Sequence, residues 1–411
     1  MPKTVKDALL IDKQTNTNYW RNAIEKEMGT IEVAFEFLEP GQAVPIGYQK
    51  IPLHFVFDVK MDFTRKARLV VGGHMTDPPS SITYSSLVSR DSVCLALMIA
   101  ALNDLDILAV DIGNAYLNAE TREKVFAIAG PEFGSRKGYI VIIGRALYGL
   151  KSSGAAWWAH LAETLHTLGY TPSLANPDVW LRAAVKPNGE PYYEYVLVYV
   201  DDILSISVYP QGTMNALAKL YHLKDAPCKP AKYLGADIIE HYYPDTPTKR
   251  TWGMSSYQFV KEAIRVVELE LGKVGKKLTT KASTPMYADY RPELDISLLL
   301  DAHQAKYYQE LIGILRWAVE LGRIDIHVQV AMLSSYTVQP RVGHLDAVFC
   351  IFAYLKANDR SKIVFDPTLP TIDERRFTKY SWEDFYRGVK EAIPPNMPQS
   401  RGKEVEIHCF R

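Results

Sequence analysis

The tetrapeptide Tyr199-Val200-Asp201-Asp202 constrains this chain more than any other feature, because it sets two adjacent carboxylates between two apolar strands. Val196-Leu197-Val198 precedes it and Ile203-Leu204-Ser205-Ile206 comes after it, and apolar flanks of that kind read as largely buried strands. Neighbouring carboxylates at such a junction repel each other and resist leaving water. A solvated hairpin turn is the plain explanation. Two-residue hairpins, however, favour Asn-Gly or Asp-Gly because their turns need positive φ, so Asp201-Asp202 is a poor choice on geometry alone. A bound divalent cation resolves the repulsion.

Asp111 stands in a similar setting, at the end of Ile107-Leu108-Ala109-Val110. Taken singly it reads as a strand-end residue that caps the next segment. Taken with Asp201 and Asp202 it completes a donor set suited to two hard Mg²⁺ ions, which need carboxylate oxygens from adjacent strands and stand about 3.5–4 Å apart.

The rest of the chain supplies a scaffold large enough for such a site. Its 411 residues, 47% hydrophobic and 23% charged, favour two to four domain-sized units with a real core. Lys plus Arg and Asp plus Glu are both 47, and that balance counts mildly against nucleic-acid binding unless the basic residues are gathered in a groove. The stretch from Lys261 to Lys281 is rich in lysine but fits a solvated helix face equally well. Cys94, Cys228, Cys350 and Cys409 form no C-x-x-C pair, so neither a disulfide scaffold nor a zinc site is expected. No run matches a membrane span, and Met1 to Leu10 has no signal-peptide core. These readings predict an intracellular protein, cytoplasmic or nuclear and not secreted, with no membrane partner.

Along the chain, Trp20, Ile24 and Met28 share one helix face, and 54–60 with 67–71 read as a hairpin closed near Gly72-Gly73. Helices are predicted over 92–102 and 153–168, short strands over 107–112, 125–128 and 139–143, and a helix-rich region with helices over 256–271 and 304–321. His160 and His166 leave one helix face and form no ligand set, and of the adjacent Trp157 and Trp158 at least one belongs to the core.

Several segments carry a family resemblance. Asp111-Ile112-Gly113-Asn114-Ala115-Tyr116-Leu117 resembles motif A of reverse transcriptases, and Tyr199-Val200-Asp201-Asp202 resembles their motif C. Ala146-Leu147-Tyr148-Gly149-Leu150-Lys151, Lys66-Ala67-Arg68-Leu69-Val70 and Tyr233-Leu234-Gly235 resemble signatures of the copia class of retrotransposons. All five occur in the family's order, over about residues 20–356. A lone Y-x-D-D is a weak signal; the ordered set is a strong one. Two departures stand out. Ser152-Ser153-Gly154-Ala155 replaces the family's Q-A-P-R, and Gly322-Arg323-Ile324-Asp325 stands where relatives carry R-P-D.

The resemblance implies an α+β right-hand polymerase architecture of fingers, palm with an antiparallel sheet, and thumb, plus a connection-like helical region. It divides the chain into an N-terminal helical extension (1–44), fingers and palm (45–245), a helical thumb and connection (246–362) and an irregular tail (363–411). Within the second unit, fingers are expected over 45–105 and 120–150, and palm over 106–119 and 151–245. The tail ends in Val405-Glu406-Ile407-His408-Cys409-Phe410, which resembles the first strand of an RNase H domain whose acidic site is expected to be absent.

The implied activity is RNA-directed DNA synthesis from dNTPs on a primed RNA or DNA template, as a piece of a retrotransposon polyprotein. Two Mg²⁺ ions, with Mn²⁺ an alternative, would be held by Asp111, Asp201, Asp202 and the Ile112 carbonyl. Lys224 would act as general acid. Lys60, Arg68, Ile112, Tyr116, Gly149, Lys151 and Ser152 would bind the nucleotide, with Tyr116 as a gate against the 2′-hydroxyl. Tyr233, Leu234 and Gly235 would grip the primer. Oligomeric state stays open. The rival readings are a catalytically inactive, retrotransposon-derived nucleic-acid binder and an unrelated two-metal phosphotransferase or nuclease; the last fails if Asp111 and Asp201 meet on neighbouring strands of one sheet.

Overall fold

The computed structural model describes residues 1–59, 63–77, 83–224, 226–227, 232–243, 245–279, 282–368 and 387–388, without the side chains of 246–249. Helices α1 (Val5–Thr15) and α2 (Tyr19–Ile31) open the chain. Thr4 and Asp7 form a capping box on α1, and Asn16 ends it in the left-handed conformation. The buried Asp12 carboxylate then accepts the Trp20 and Arg21 amides at 3.2 and 2.9 Å, which places an anion on the positive end of α2.

The next strands are β1 (Phe35–Phe37), β2 (Gln49–Lys50), β3 (Leu53–Val59) and β4 (Arg65–Val71), with β3 and β4 paired as an antiparallel hairpin. After α3 (Arg90–Asn103) come β5 (Asp106–Asp111), β6 (Val125–Ile128) and β7 (Ile140–Ile143). The strands β1, β7, β6 and β2 form a second sheet in that order, mixed because β2 runs parallel to β6. Residues 1–44 are therefore more than a helical extension. Trp20 and Ile24 share one core with Phe55, Phe57 and Leu69, Trp20 meets Phe57 edge-on at 5.4 Å, and β1 is a sheet strand paired to β7.

The central sheet uses β5, β8 (Thr171–Pro172), β9 (Val179–Val185), β10 (Pro191–Tyr199) and β11 (Asp202–Ser207), in the order β5-β11-β10-β9-β8 with every neighbour antiparallel. Its faces alternate with period two. Ile107, Leu197, Leu204 and Ile206 pack toward α3, while Val110, Val196, Val198 and Ile203 pack toward α4 (Ser153–Thr167) and α5 (Gln211–Ala218). Both faces are covered, which is why these strands read as continuous apolar runs rather than alternating ones.

Beyond it, β12 (Asp237–Tyr243) and β13 (Thr246–Ser255) form a hairpin that β14 (Lys362–Phe365) extends. The expected division at 245/246 falls in the turn of this hairpin. Trp252 and Met254 lie in the same core as Ile107 and Leu204, and the Trp252 indole donates to the Leu105 carbonyl at 3.2 Å. The hairpin thus belongs with the central sheet, and the helical region starts at α6 (Tyr257–Lys273). It continues through α7 (Ala302–Glu320), α8 (His327–Ser334) and α9 (Val342–Ala357) around Val260, Tyr308, Leu315, Ile351 and Phe352. Lys362–Phe365 is a strand rather than the start of an irregular tail, and the segment Val405–Phe410 lies outside the described residues. Among the described residues no helix is long and apolar enough to cross a membrane.

A shared core makes the first two helices structural for the β3–β4 hairpin. Trp20→Ala should lower the free energy of urea unfolding by about 3–5 kcal/mol. A change below about 1 kcal/mol would mean that residues 1–44 fold independently of the hairpin.

Candidate active site

The register of one strand pair creates the site. β11 pairs with β5 so that Asp202 lies directly opposite Asp111 at the end of the central sheet. Tyr199 pairs with Asp202, so the two-residue loop of the β10–β11 hairpin is Val200-Asp201 and not the Asp201-Asp202 doublet. Asp201 sits in the loop and Asp202 begins the strand. Asp111, which ends β5, and Asp201, in the loop before β11, therefore meet at the ends of neighbouring strands of one sheet.

Val200 has φ 55°, a conformation that β-branched residues rarely adopt and that costs on the order of 1–3 kcal/mol. Only the first loop residue has positive φ, the position where a type II′ turn takes glycine. Two hydrogen bonds hold the strained turn. The buried Trp157 indole N–H donates to the Val200 carbonyl at 2.6 Å, and the Ile112 amide donates to the Asp201 carbonyl at 2.8 Å.

Lys224 reaches this edge from the segment after α5, where Leu223 forms an isolated antiparallel bridge with Ile112, just past β5. Its Nζ lies 2.6 Å from both Asp111 oxygens and 3.3 Å from Asp201 Oδ2. One cation thus already sits between two of the carboxylates. The bridge's hydrogen bonds run from Gly113 to His222 and from Lys224 to Asp111, so the Ile112 carbonyl takes no part in it. Burial, then the charges of Asp201 and Asp111, push the Asp202 carboxyl up to about 6 against the pull of Lys224. Burial likewise raises Asp111, opposed by its hydrogen bonds to Lys224. Burial alone would lower the Lys224 ammonium, but its hydrogen bonds and charge contacts with Asp111 and Asp201 outweigh that and raise it.

Three carboxylates facing one ammonium are short of positive charge, and that shortage suits a further cation. Among the described residues no group of three or more His, Cys, Asp or Glu side chains is gathered closely enough to hold an ion without movement. The Lys224 ammonium takes the space between Asp111 and Asp201 instead.

A second group of residues faces the same opening. Tyr116, on a short 3-10 turn after Asp111, meets Tyr148 edge-on at 5.1 Å, and the Arg68 guanidinium lies 5.7 Å from the Tyr148 ring centre. The Asp201 charge contributes to the raised pKa of both tyrosines, after burial, so the rings stand close to the carboxylates. Tyr148 joins this group although its sequence segment does not single it out beside Gly149 and Lys151. The available signal is a large aromatic next to a glycine. At φ 97°, Gly149 lets the Tyr148 carbonyl accept the Val71 amide at 2.8 Å, and any Cβ there would run into the Val71 carbonyl.

The remaining expected residues divide. Lys151 donates to the Thr76 carbonyl at 2.5 Å and braces the loop after β4. Ser152 is taken up elsewhere: it is 3% exposed, and its amide and hydroxyl both bond Glu123, at 2.8 and 2.6 Å. A short side chain at a helix entry is drawn to the nearest buried acceptor. Tyr233-Leu234-Gly235 forms a two-residue hairpin with Ala236, and Leu234 and Gly235 are both at positive φ, as type I′ turns require. Lys60 lies outside the described residues. Both indoles at the start of α4 are packed, Trp157 fully and Trp158 through a 2.8 Å bond to Asp178, so neither is a free stacking surface.

Comparison with known proteins decides the family. The family described as Reverse transcriptase (RNA-dependent DNA polymerase) matches residues 42–270, more than half of the chain. The chain belongs to that family. It is homologous to copia-type retrotransposon Pol polyproteins. The Retrovirus-related Pol polyprotein from transposon RE2 of Arabidopsis thaliana is 27% identical over 298 residues, covering 71% of this chain and 19% of the relative. The polyprotein from transposon TNT 1-94 of Nicotiana tabacum is 23% identical over 391 residues, covering 90% of this chain and 28% of the relative. The chain therefore spans about a fifth to a quarter of these relatives. A foamy viral protease-reverse transcriptase solved in complex with double-stranded DNA aligns over 81% of this chain and 47% of its own, at 16% identity and a TM-score of 0.42.

The crowded carboxylates tie the stability of this chain to pH. The folded Asp202 carboxyl, near 6, holds its proton more tightly than the unfolded one near 3.8, so its stabilising contribution is complete below about 3.8 and disappears as pH rises through about 6. In chelator, unfolding free energy should fall over that window by about 1–3 kcal/mol, and Asp202→Asn should flatten the fall. An unchanged slope in the variant would assign the effect to other groups.

Proposed function

We propose that this chain is an RNA-directed DNA polymerase that extends a primer with dNTPs on an RNA or DNA template. The observation that carries the reading is the convergence of Asp111, Asp201 and Lys224 at a strained turn, opposite the Arg68–Tyr148–Tyr116 group. In this reading the β3–β4 hairpin and the β1-β7-β6-β2 sheet serve as fingers, the five-stranded sheet as palm, and α6 to α9 as thumb and connection.

Asp111, Asp201 and Asp202, with the Ile112 carbonyl, are the groups that would hold Mg²⁺, two ions in the full assembly or Mn²⁺ in their place. When bound, such ions would lower the pKa of the attacking 3′-hydroxyl and neutralise charge developing on the leaving pyrophosphate. The protein's own part is positioning and electrostatics. Its carboxylates hold a fixed concentration of negative charge at the sheet edge. Lys224 exchanges its carboxylate contacts for the nucleotide phosphates and can give its Nζ proton to the leaving pyrophosphate. The Arg68 guanidinium binds a phosphate, and the Tyr116 ring stands under the sugar, where a 2′-hydroxyl would collide with it. Tyr148 lies against Tyr116 and Arg68 and takes the part in nucleotide contact that the sequence assigns to Ser152. Tyr233, Leu234 and Gly235 present a tight turn to the primer backbone.

Primer extension on an RNA template with Mg²⁺ tests this directly. Wild-type protein should extend the primer, and Asp201→Asn should lose at least about a hundredfold in rate with template binding retained. Tyr116→Ala should cut the preference for dNTP over rNTP by roughly ten- to a hundredfold. Wild-type binding without extension would instead leave a nucleic-acid binder derived from a retrotransposon.

A further inference from the structure

We infer that Trp157 is a positioning residue for the Asp201 carboxylate, acting through its indole N–H on the Val200 carbonyl. The inference rests on the polymerase reading for its kinetic consequence, but its structural part does not.

Asp201 lies between two peptide planes, and each plane is rigid. The plane that joins Val200 to Asp201 carries the Val200 carbonyl, which accepts the Trp157 indole at 2.6 Å. The plane that joins Asp201 to Asp202 carries the Asp201 carbonyl, which accepts the Ile112 amide at 2.8 Å. Only the φ and ψ of Asp201 lie between those planes. Pinning both planes therefore sets the direction of the Asp201 Cβ, and with it the aim of the carboxylate toward Asp111 and Lys224.

The clamp has work to do because Val200 disfavours its own φ of 55°. Left free, rotation about φ of Val200 toward its favoured negative range would swing the first plane, and the Asp201 carboxylate with it. The donor side is equally constrained. An indole N–H can only donate, and a tryptophan 1% exposed must find a partner inside the protein. The ring itself is locked by the core it shares with Leu161, Val198 and Met214, and by an edge-on contact with Tyr221 at 5.5 Å. Helix α4 thus supplies a rigid anchor on the face of the sheet away from α3. The bond also links the site to the same helix whose entry comes after Gly149 and Lys151.

Trp157→Phe removes the N–H and keeps an aromatic ring in the core. Three measurements separate a clamp from mere packing: hydrogen exchange of the 196–206 peptide, Mn²⁺ binding followed by electron paramagnetic resonance, and the Mg²⁺ dependence of primer extension. The variant should exchange faster through the turn, bind Mn²⁺ roughly tenfold or more weakly, and need correspondingly more Mg²⁺. Val200→Gly, which accepts positive φ without strain, should recover most of that loss when combined with Trp157→Phe.

Wild-type exchange and Mn²⁺ affinity in Trp157→Phe would overturn the inference. So would a loss that Val200→Gly leaves untouched, since it would trace to the ring's packing. If wild-type protein extends no primer, the polymerase reading fails on its own, while exchange and Mn²⁺ binding still decide the clamp.

Discussion

The pairing of β5 with β11 is the contact on which the remaining structure turns. Its register sets Asp111 against Asp202, and a slip of one residue would exchange every side chain between the two buried faces. Leu204 and Ile206 would then meet α4 instead of α3, so two apolar cores enforce the position of a charged pair. Hydrophobic burial supplies the alignment that the carboxylates themselves oppose. The opposition shows in the raised protonation of Asp202 and Asp111, and in the Lys224 ammonium drawn between Asp111 and Asp201.

Strain is concentrated at the same edge. Val200 and Leu234 both occupy positive φ in tight two-residue hairpins, one bearing a carboxylate and the other the Tyr233-Leu234-Gly235 turn. Tyr233 is buried and its hydroxyl feels the Asp202 charge, so the two turns lie near each other. Backbone held in rare conformations persists only where its surroundings over-determine it. Here the surroundings are the two cores of the central sheet, which leave the turns few alternatives.

The β3–β4 hairpin meets the segment around Gly149 through close glycine contacts as well as through a core shared with Leu147 and Leu150. Gly149 and Gly73 approach backbone so closely that a Cβ on either would collide with the other's segment or with Val71. That approach carries Arg68, on β4, to the ring of Tyr148 and hence to Tyr116. The helices α1 and α2 support it from behind, where the Glu27 carboxylate accepts the Leu69 amide at 3.1 Å. The amino-terminal residues therefore bear on the site, and the Glu27 charge is felt by Arg68 and Tyr148.

Much of this is legible in the residues. The apolar runs around Asp111 and around Asp201-Asp202, Ile107-Leu108-Ala109-Val110 and Val196-Leu197-Val198, lack a polar alternation and so suit strands covered on both faces. The helix faces of Trp20 and Ile24 follow from their spacing, as do most strand and helix positions. Other features depend on contacts between residues far apart in the chain. Residues 1–44 look like an appendage until Trp20 meets Phe57, and the division expected at 245/246 fails because Trp252 packs into the central sheet. Ser152 looks like a nucleotide contact until Glu123 is placed beside it, and Tyr148 looks incidental until Arg68 and Tyr116 bracket it. Local sequence determined which segments are strands and which carboxylates end them, since periodicity and turn chemistry act over a few residues. Only the tertiary structure decided which indole holds the Val200 turn and which lysine fills the space between the carboxylates, because those choices are made by register and packing across 43 and 113 residues of chain.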